Sequence, residues 1–158
     1  MRLIAALRGS GGFTLAEVLV ALVVLSVGML AIVALLLDGL RGSRHAREHT
    51  QAVDLAADIA ERMRANRAGG VAYDTTDGTP APRLDAACER ADAGCDPQAM
   101  AGNDLRRWLD SVEATLPDAA GSVAVVPQAD ALLRCTIAVT WTQSGDDSRA
   151  TYRLAVDL

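Results

Sequence analysis

The chain has 158 residues, enough for one small domain together with one membrane-spanning segment. Its basic residues are all arginine, and with 20 acidic residues the formal net charge is −5. Because phosphate contacts need a concentrated basic face, an acidic chain with scattered arginines predicts no nucleic-acid partner.

A long apolar stretch occupies residues 13–37 and carries a single charge, Glu17. As a helix rising about 1.5 Å per residue, it would cross the roughly 30 Å hydrocarbon core of a bilayer. A cleavable secretory signal has a shorter apolar stretch and a small-residue cleavage site, neither of which is present. Arginines lie on both sides of the stretch, so charge does not decide its orientation. A plain membrane anchor fits the length but leaves Glu17 unexplained.

The helical pattern continues beyond the apolar stretch. Residues 38–67 contain no proline, and apolar residues recur there at spacings of three and four: Val53, Ala56, Ala57, Ala60 and Met63. Gly69 and Gly70 supply a stop signal. The sequence therefore predicts one helix from about Thr14 to Arg67, with a break at Gly39–Gly42 as the alternative.

The segment HAREH contains a His-x-x-Glu-His pattern, formed by His45, Glu48 and His49. Two histidines on one helical face can bind Zn²⁺, with the glutamate as general base. This pattern makes a membrane-anchored metalloenzyme one alternative function. No third ligand is evident, so we favour a chance pattern on a polar, solvated helix, with no metal and no cofactor.

Residues 70–102 are rich in turn-forming residues and predict a long irregular stretch. Cys88 and Cys95 bracket a short polar loop within it. If this region lies outside the cytoplasm, a disulfide bond between them is expected, although other pairings stay open. Cys135 would then be a buried thiol or belong to a different pair.

The C-terminal part predicts a second helix and several strands. NDLRRWLDSVEATLPDAAG has one apolar face, a cap at Asn103 or Asp104, and an end at Pro117. SVAVVP predicts a short strand, and LRCTIAVTWTQ and RATYRLAVDL alternate as the strands of an antiparallel hairpin. One face of the first hairpin strand is apolar and predicted to be buried: Cys135, Ile137, Val139 and Trp141. The fold class is α+β, and no catalytic constellation appears.

The segment GGFTLAEVLVAL resembles the processing motif of type IV prepilins and pseudopilins. The resemblance implies that a prepilin peptidase removes a leader peptide, residues 1–12, by cutting between Gly12 and Phe13. Phe13 then becomes the N-methylated first residue and Glu17 the fifth. No cation lies within one helical turn of Glu17, and an unpaired carboxylate in a bilayer is costly. We therefore expect Glu17 to pair with the α-amino group of Phe13 in a neighbouring subunit during assembly.

The resemblance extends over most of the chain. The runs FTLAEVLVALVVLSVGMLAI and DLAADIAERMRANR, the two-cysteine loop, NDLRRWL, TLPDAAGSV and CTIAVTWTQ are together similar to the PilV group of minor pilins, the type IV pilus modification proteins. This implies a type IV pilin-like fold, in which a long N-terminal helix packs on a small antiparallel sheet with one extra helix. The implied segments are a transmembrane helix over 13–37, its periplasmic continuation over 38–68, and a periplasmic globular domain over 69–158.

The same resemblance implies a non-catalytic role in assembly, twitching motility and adhesion. The implied partners are other minor pilins, the major pilin, the inner-membrane assembly platform and, for processing, the prepilin peptidase. The implied location is the bacterial inner membrane, crossed once, and the pilus after assembly. A type II secretion pseudopilin is the alternative within the same class.

Overall fold

The computed structural model describes residues 12–76, 82–90, 94–129, 132–145 and 147–158. The chain forms two compact units, Met1–Leu40 and Arg41–Leu158. The elements are helix α1 (Leu15–Ala65), a 3₁₀ helix (Arg67–Tyr73), helix α2 (Pro97–Thr115), and strands β1 (Ala120–Pro127), β2 (Leu133–Thr142) and β3 (Arg149–Asp157). The predicted long N-terminal helix, extra helix and antiparallel sheet are therefore confirmed.

Helix α1 ends close to the predicted glycine stop. The chain passes from Ala65 into the 3₁₀ helix, within which Gly70 has a φ of 48°. This left-handed conformation is one that glycine adopts without steric cost. The predicted continuous helix is confirmed, and the alternative, a break at Gly39–Gly42, is not observed because both glycines lie within α1.

The sheet is a three-stranded antiparallel meander in the order β1-β2-β3. Its register places Gly121 opposite Val139 and Val139 opposite Tyr152. The alternation predicted for β2 is confirmed, since Cys135, Ile137, Val139 and Trp141 are all buried. Cys135 is a free buried thiol.

One hydrophobic core joins the sheet to α2 and to the second half of α1. The α1 residues buried in it are Ala52, Ala56, Ile59, Ala60 and Met63. The predicted apolar face of α1 is thus rotated slightly from the observed one: Val53 is half-buried and Ala57 is exposed. The indole N–H of Trp108 on α2 donates to the carbonyl oxygen of Leu55 on α1, at 2.9 Å. Trp108 is therefore a core residue that also fixes the two helices.

The predicted start of α2 is wrong. The helix begins at Pro97, and Asp96 caps it by accepting hydrogen bonds from the N–H groups of Gln98 and Ala99. Aspartate followed by proline is a strong helix start, because proline needs no hydrogen-bond acceptor in the first turn. Asn103 and Asp104, the predicted caps, lie inside the helix and are buried.

The stretch predicted to be irregular is therefore shorter than 70–102. It begins after the 3₁₀ helix and ends at Asp96, with a turn at residues 86–89. Residues 77–81 and 91–93 of the predicted loop lie outside the described residues, as do residues 1–11 of the predicted leader peptide.

Candidate functional site

The residues of the processing motif lie at the start of α1. Gly12 and Phe13 precede the helix and are exposed. Thr14 comes directly before the first helical residue, and its hydroxyl and carbonyl oxygens accept hydrogen bonds from the Glu17 N–H, at 3.3 and 3.1 Å. Glu17 thus lies in the first turn, where the positive end of the helix dipole favours a carboxylate.

Sequence analysis missed this local role of Glu17. Thr-x-x-Glu directly before an apolar run is the pattern of a capping box, in which the threonine oxygen accepts from the third helical N–H. Residues 14–17, Thr-Leu-Ala-Glu, match this pattern. The observed bond uses the Glu17 backbone N–H, so the local contribution of its carboxylate is its position in the first turn, at the positive end of the helix dipole.

The N-terminal unit exposes an apolar surface. Its large hydrophobic residues, from Phe13 to Leu40, are between 47% and 82% exposed. Among the described residues one helix is long and apolar enough to cross a membrane, with a mean hydropathy of 3.0. Ser26, the one hydroxyl-bearing residue between residues 15 and 40, donates to the carbonyl oxygen of Leu22 at 2.7 Å and so does not need a partner outside the helix. A surface of this kind requires lipid or other apolar helices to cover it.

The sequence analysis favoured a solvated HAREH segment, but two of its side chains contact the turn between β2 and β3. His45 Nε2 lies 3.2 Å from the carbonyl oxygen of Ser144, in the turn between β2 and β3. Glu48 is 8% exposed, and its carboxylate accepts from the N–H of Ser144 at 3.4 Å. Residues 45 and 48 thus hold the β2–β3 turn against α1.

His49 contacts the sheet. Its ring packs edge-on against Trp141 and Tyr152, with centroids 6.4 and 5.6 Å away. Within the described residues, no three His, Cys, Asp or Glu side chains are grouped so that they could hold a metal ion. The contacts of the HAREH segment are those of a packing surface.

The structure contains a disulfide bond between Cys88 and Cys95, with Cα atoms 4.9 Å apart. Cys95 directly precedes Asp96, the cap of α2. On the other side of the loop, Glu89 accepts from Arg107 of α2 at 2.8 Å. The Asp85 N–H donates to the side-chain oxygen of buried Asn103, at 3.2 Å. The disulfide loop is therefore fixed to α2 at both ends.

A buried polar network joins α1, the 3₁₀ helix and α2. The Tyr73 hydroxyl donates to Asp104 Oδ2 at 2.7 Å, and Asn66 Nδ2 donates to the Tyr73 oxygen at 3.2 Å. Arg62 contacts Asp104 at 3.4 Å and Asp58 at 3.0 Å. Burial and then the hydrogen bond to Asp104 raise the pKa of Tyr73 well above its usual value. The sequence analysis missed this network because its members lie far apart in the chain.

Two protein-family models match the chain. Residues 7–33 match the prokaryotic N-terminal methylation motif, and residues 34–106 match the family described as Type IV pilin Tt1218. Together the two matches cover residues 7–106, over which the chain is similar to type IV pilins. No curated protein and no solved structure gives a significant match.

Similarity to type IV pilins agrees with the fold and with the start of α1. Type IV pilins are structural subunits, and the methylation motif implies a processing peptidase and partners in assembly. The apolar first half of α1 fits a membrane-anchored pilin.

Proposed function

We propose that this chain is a minor pilin of the PilV type, which primes assembly of the type IV pilus with other minor pilins and lies near the pilus tip. The observation that carries the proposal is the exposed apolar segment of residues 13–37, which overlaps the methylation motif and contains one acid, Glu17. Similarity to PilV-type sequences on both sides of the disulfide loop supports the minor-pilin assignment. No step in this function is catalytic.

In this proposal, residues 13–37 cross the inner membrane before assembly, and residues 38–68 and the globular domain, 69–158, lie in the periplasm. The disulfide between Cys88 and Cys95 supports a periplasmic location of the globular domain, because disulfides persist in an oxidising compartment. The prepilin peptidase cuts between Gly12 and Phe13. After the cut, Phe13 has a free amino group at the start of the mature chain.

The driving force for assembly is physical. Lipid covers the apolar side chains of residues 13–40 before assembly, and helices of neighbouring subunits cover them in the filament. Replacing lipid contacts with helix contacts does not by itself fix the axial position of one helix relative to the next, because apolar contacts have little directional preference. Pairing of Glu17 with the Phe13 amino group of a neighbour fixes that axial position. The inner-membrane assembly platform brings the subunits together.

The globular unit has the rigidity that a subunit of a priming complex needs. The disulfide loop is fixed to α2, the Tyr73–Asp104 network fixes α2 to α1, and His45 and Glu48 fix the β2–β3 turn to α1. Its outer surface is then available to other minor pilins and to the major pilin. Rigid partners lose less conformational entropy when they associate.

The experiment that tests this function is a chromosomal deletion, complemented with the parent gene. We expect the deletion to abolish surface pili and twitching motility and to leave secretion of exoproteins unchanged. The reverse result, lost secretion with normal pili, would make the chain a type II secretion pseudopilin. Complementation with a Gly12 variant that the prepilin peptidase cannot cut is the matched control, and it should fail to restore twitching.

A further inference from the structure

The two edges of the sheet differ. The outer edge of β1 is covered by the residues that follow the 3₁₀ helix. The Thr75 N–H donates to the Val123 carbonyl oxygen at 2.8 Å, and the Val123 N–H donates to the Thr75 hydroxyl at 2.9 Å. The Val125 N–H donates to Asp74 Oδ2 at 2.8 Å. Three outward-facing backbone groups in the middle of β1 therefore have partners within the chain: the N–H and C=O of Val123 and the N–H of Val125.

The outer edge of β3 is open. Leu133 and Leu158 exchange two backbone hydrogen bonds, at 3.0 and 2.9 Å, and the register stays constant up to the pair Thr142 and Arg149. Because antiparallel pairs alternate, every second residue of β3 directs its N–H and C=O away from β2. These residues are Arg149, Thr151, Arg153, Ala155 and Asp157. Within the ranges that the structure describes, no backbone hydrogen bond is made to these outward groups.

The side chains of the same residues are exposed and give this edge a positive charge. Asp157 is neutralised by Arg134 of β2, with Nε and Oδ1 2.8 Å apart. Arg149 and Arg153 form no ion pair with any described residue. A basic strand edge stands out on a chain whose net charge is −5.

This charge pattern argues against a second copy of the chain as the occupant. The antiparallel register that uses all of β3 is centred on Arg153 and would place Arg153 directly opposite Arg153. It would also place each Arg149 opposite an Asp157, whose charge Arg134 already neutralises. A parallel pair in register would place each arginine beside its counterpart. Like charges opposite each other on one sheet face are destabilising, whereas opposite charges contribute roughly 0.2–1 kcal/mol per pair.

We propose that β3 is a docking edge for an extended segment of another protein chain, which adds as a fourth strand and carries carboxylates opposite Arg149 and Arg153. The open N–H and C=O groups supply the binding free energy, and the two arginines select an acidic strand. This docking edge goes beyond the proposed function and does not depend on it, because it uses the globular unit and not the processed helix.

The test uses the full chain in detergent micelles and two synthetic peptides, one alternating valine with glutamate and the other alternating valine with lysine. Amide hydrogen exchange is followed by NMR. We expect the acidic peptide to slow exchange several-fold at Thr151, Arg153 and Ala155. The Val123 and Val125 amides, already bonded within the chain, should not change. The basic peptide should change neither set.

Two variants separate backbone pairing from charge. Ala155→Pro removes an outward N–H without removing a bond to β2, and it should weaken binding of the acidic peptide. The double variant Arg149→Glu/Arg153→Glu should bind the basic peptide instead. Arg83→Glu/Arg90→Glu makes the same change in charge at two exposed residues outside the sheet, and it should keep the parent preference.

Two results would overturn the proposal. One is that neither peptide slows exchange in β3, in which case the arginines serve only to prevent edge-to-edge pairing of copies. The other is equal binding of both peptides, or protection confined to other elements. Neither result would affect the predicted loss of twitching on deletion of the gene, so the two proposals fail separately.

Discussion

The Glu17 N–H donates to the Thr14 hydroxyl at 3.3 Å, which links the family's glutamate to the residue that caps its own helix. Glu17 therefore contributes in two separable ways. Its backbone N–H bonds to the capping Thr14, which any non-proline residue at position 17 would preserve, and its negative charge is available to a neighbouring subunit. A charge-neutral glutamine keeps the first contribution and removes the second.

We predict that Glu17→Gln leaves the helicity of α1 unchanged but prevents incorporation of the pilin into filaments. Glu17→Ala should lose incorporation to the same extent, because it too keeps the backbone hydrogen bond to Thr14 and removes the charge. Circular dichroism of the purified chain reports helicity, and immunoblots of sheared pili report incorporation. If Glu17→Gln assembles like the parent, the charge has no role in docking.

The ring of Trp108 lies directly over Gly121 of β1. A Cβ atom at position 121 would stand 2.6 Å from Trp108 Cη2 and 2.7 Å from Cζ3, closer than packed atoms approach. Since Trp108 is buried between the helices, Gly121→Ala should lower the free energy of unfolding by about 1–3 kcal/mol. Gly94→Ala is the control, because that position has open space. Equal unfolding midpoints for the two variants, measured by near-UV circular dichroism, would contradict this packing.

Removing the Tyr73 hydroxyl should destabilise the globular unit. Tyr73→Phe leaves Asp104 without its 2.7 Å hydrogen bond in a buried position, at a cost of about 1–3 kcal/mol. Tyr152→Phe is the matched control, since the structure gives the Tyr152 hydroxyl no hydrogen bond to any residue it describes. Urea unfolding should separate the two variants. A loss that is no larger in Tyr73→Phe would mean that the network contributes little.

Asp74 should make stability depend on pH at the acidic end. Burial alone would raise the pKa of Asp74, but hydrogen bonds from Thr76 and from the Val125 N–H outweigh it and lower that pKa below its usual value. The folded protein therefore binds fewer protons than the unfolded chain, and the stabilisation is present above about pH 4 and is lost as the pH falls further. The free energy of unfolding should decline over that range, and less steeply in Asp74→Asn. An exposed-residue control, Asp54→Asn, should decline like the parent; equal slopes in all three would contradict the assignment.

Local patterns predicted most of the fold. The alternation from Cys135 to Trp141 predicted which face of β2 is buried, because side chains of a strand alternate strictly between two faces. The apolar run and the glycines predicted the extent of α1. The predicted start of α2 was too late, although Asp96-Pro97 is a local signal for a helix start. The turn-forming residues of the neighbouring cysteine loop led to a prediction of irregular structure there.

Contacts between distant residues could not be predicted. Nothing in HAREH indicates that His45 and Glu48 contact a turn at Ser144, nor does anything near Tyr73 indicate Asp104. Such pairs depend on how elements pack, and a single sequence carries no record of that. The open edge of β3 could not be predicted either, because it depends on the order of the strands and on the contacts of Asp74 and Thr75 with β1.

The measurement that tests the account most directly is the mass of the N-terminal peptide of the protein isolated from native membranes. Processing at the matched motif predicts a mature chain that begins at Phe13 and carries one methyl group on its amino nitrogen. A chain that still begins at Met1, in cells that contain an active prepilin peptidase, would contradict the account. It would leave the chain as a plain membrane anchor.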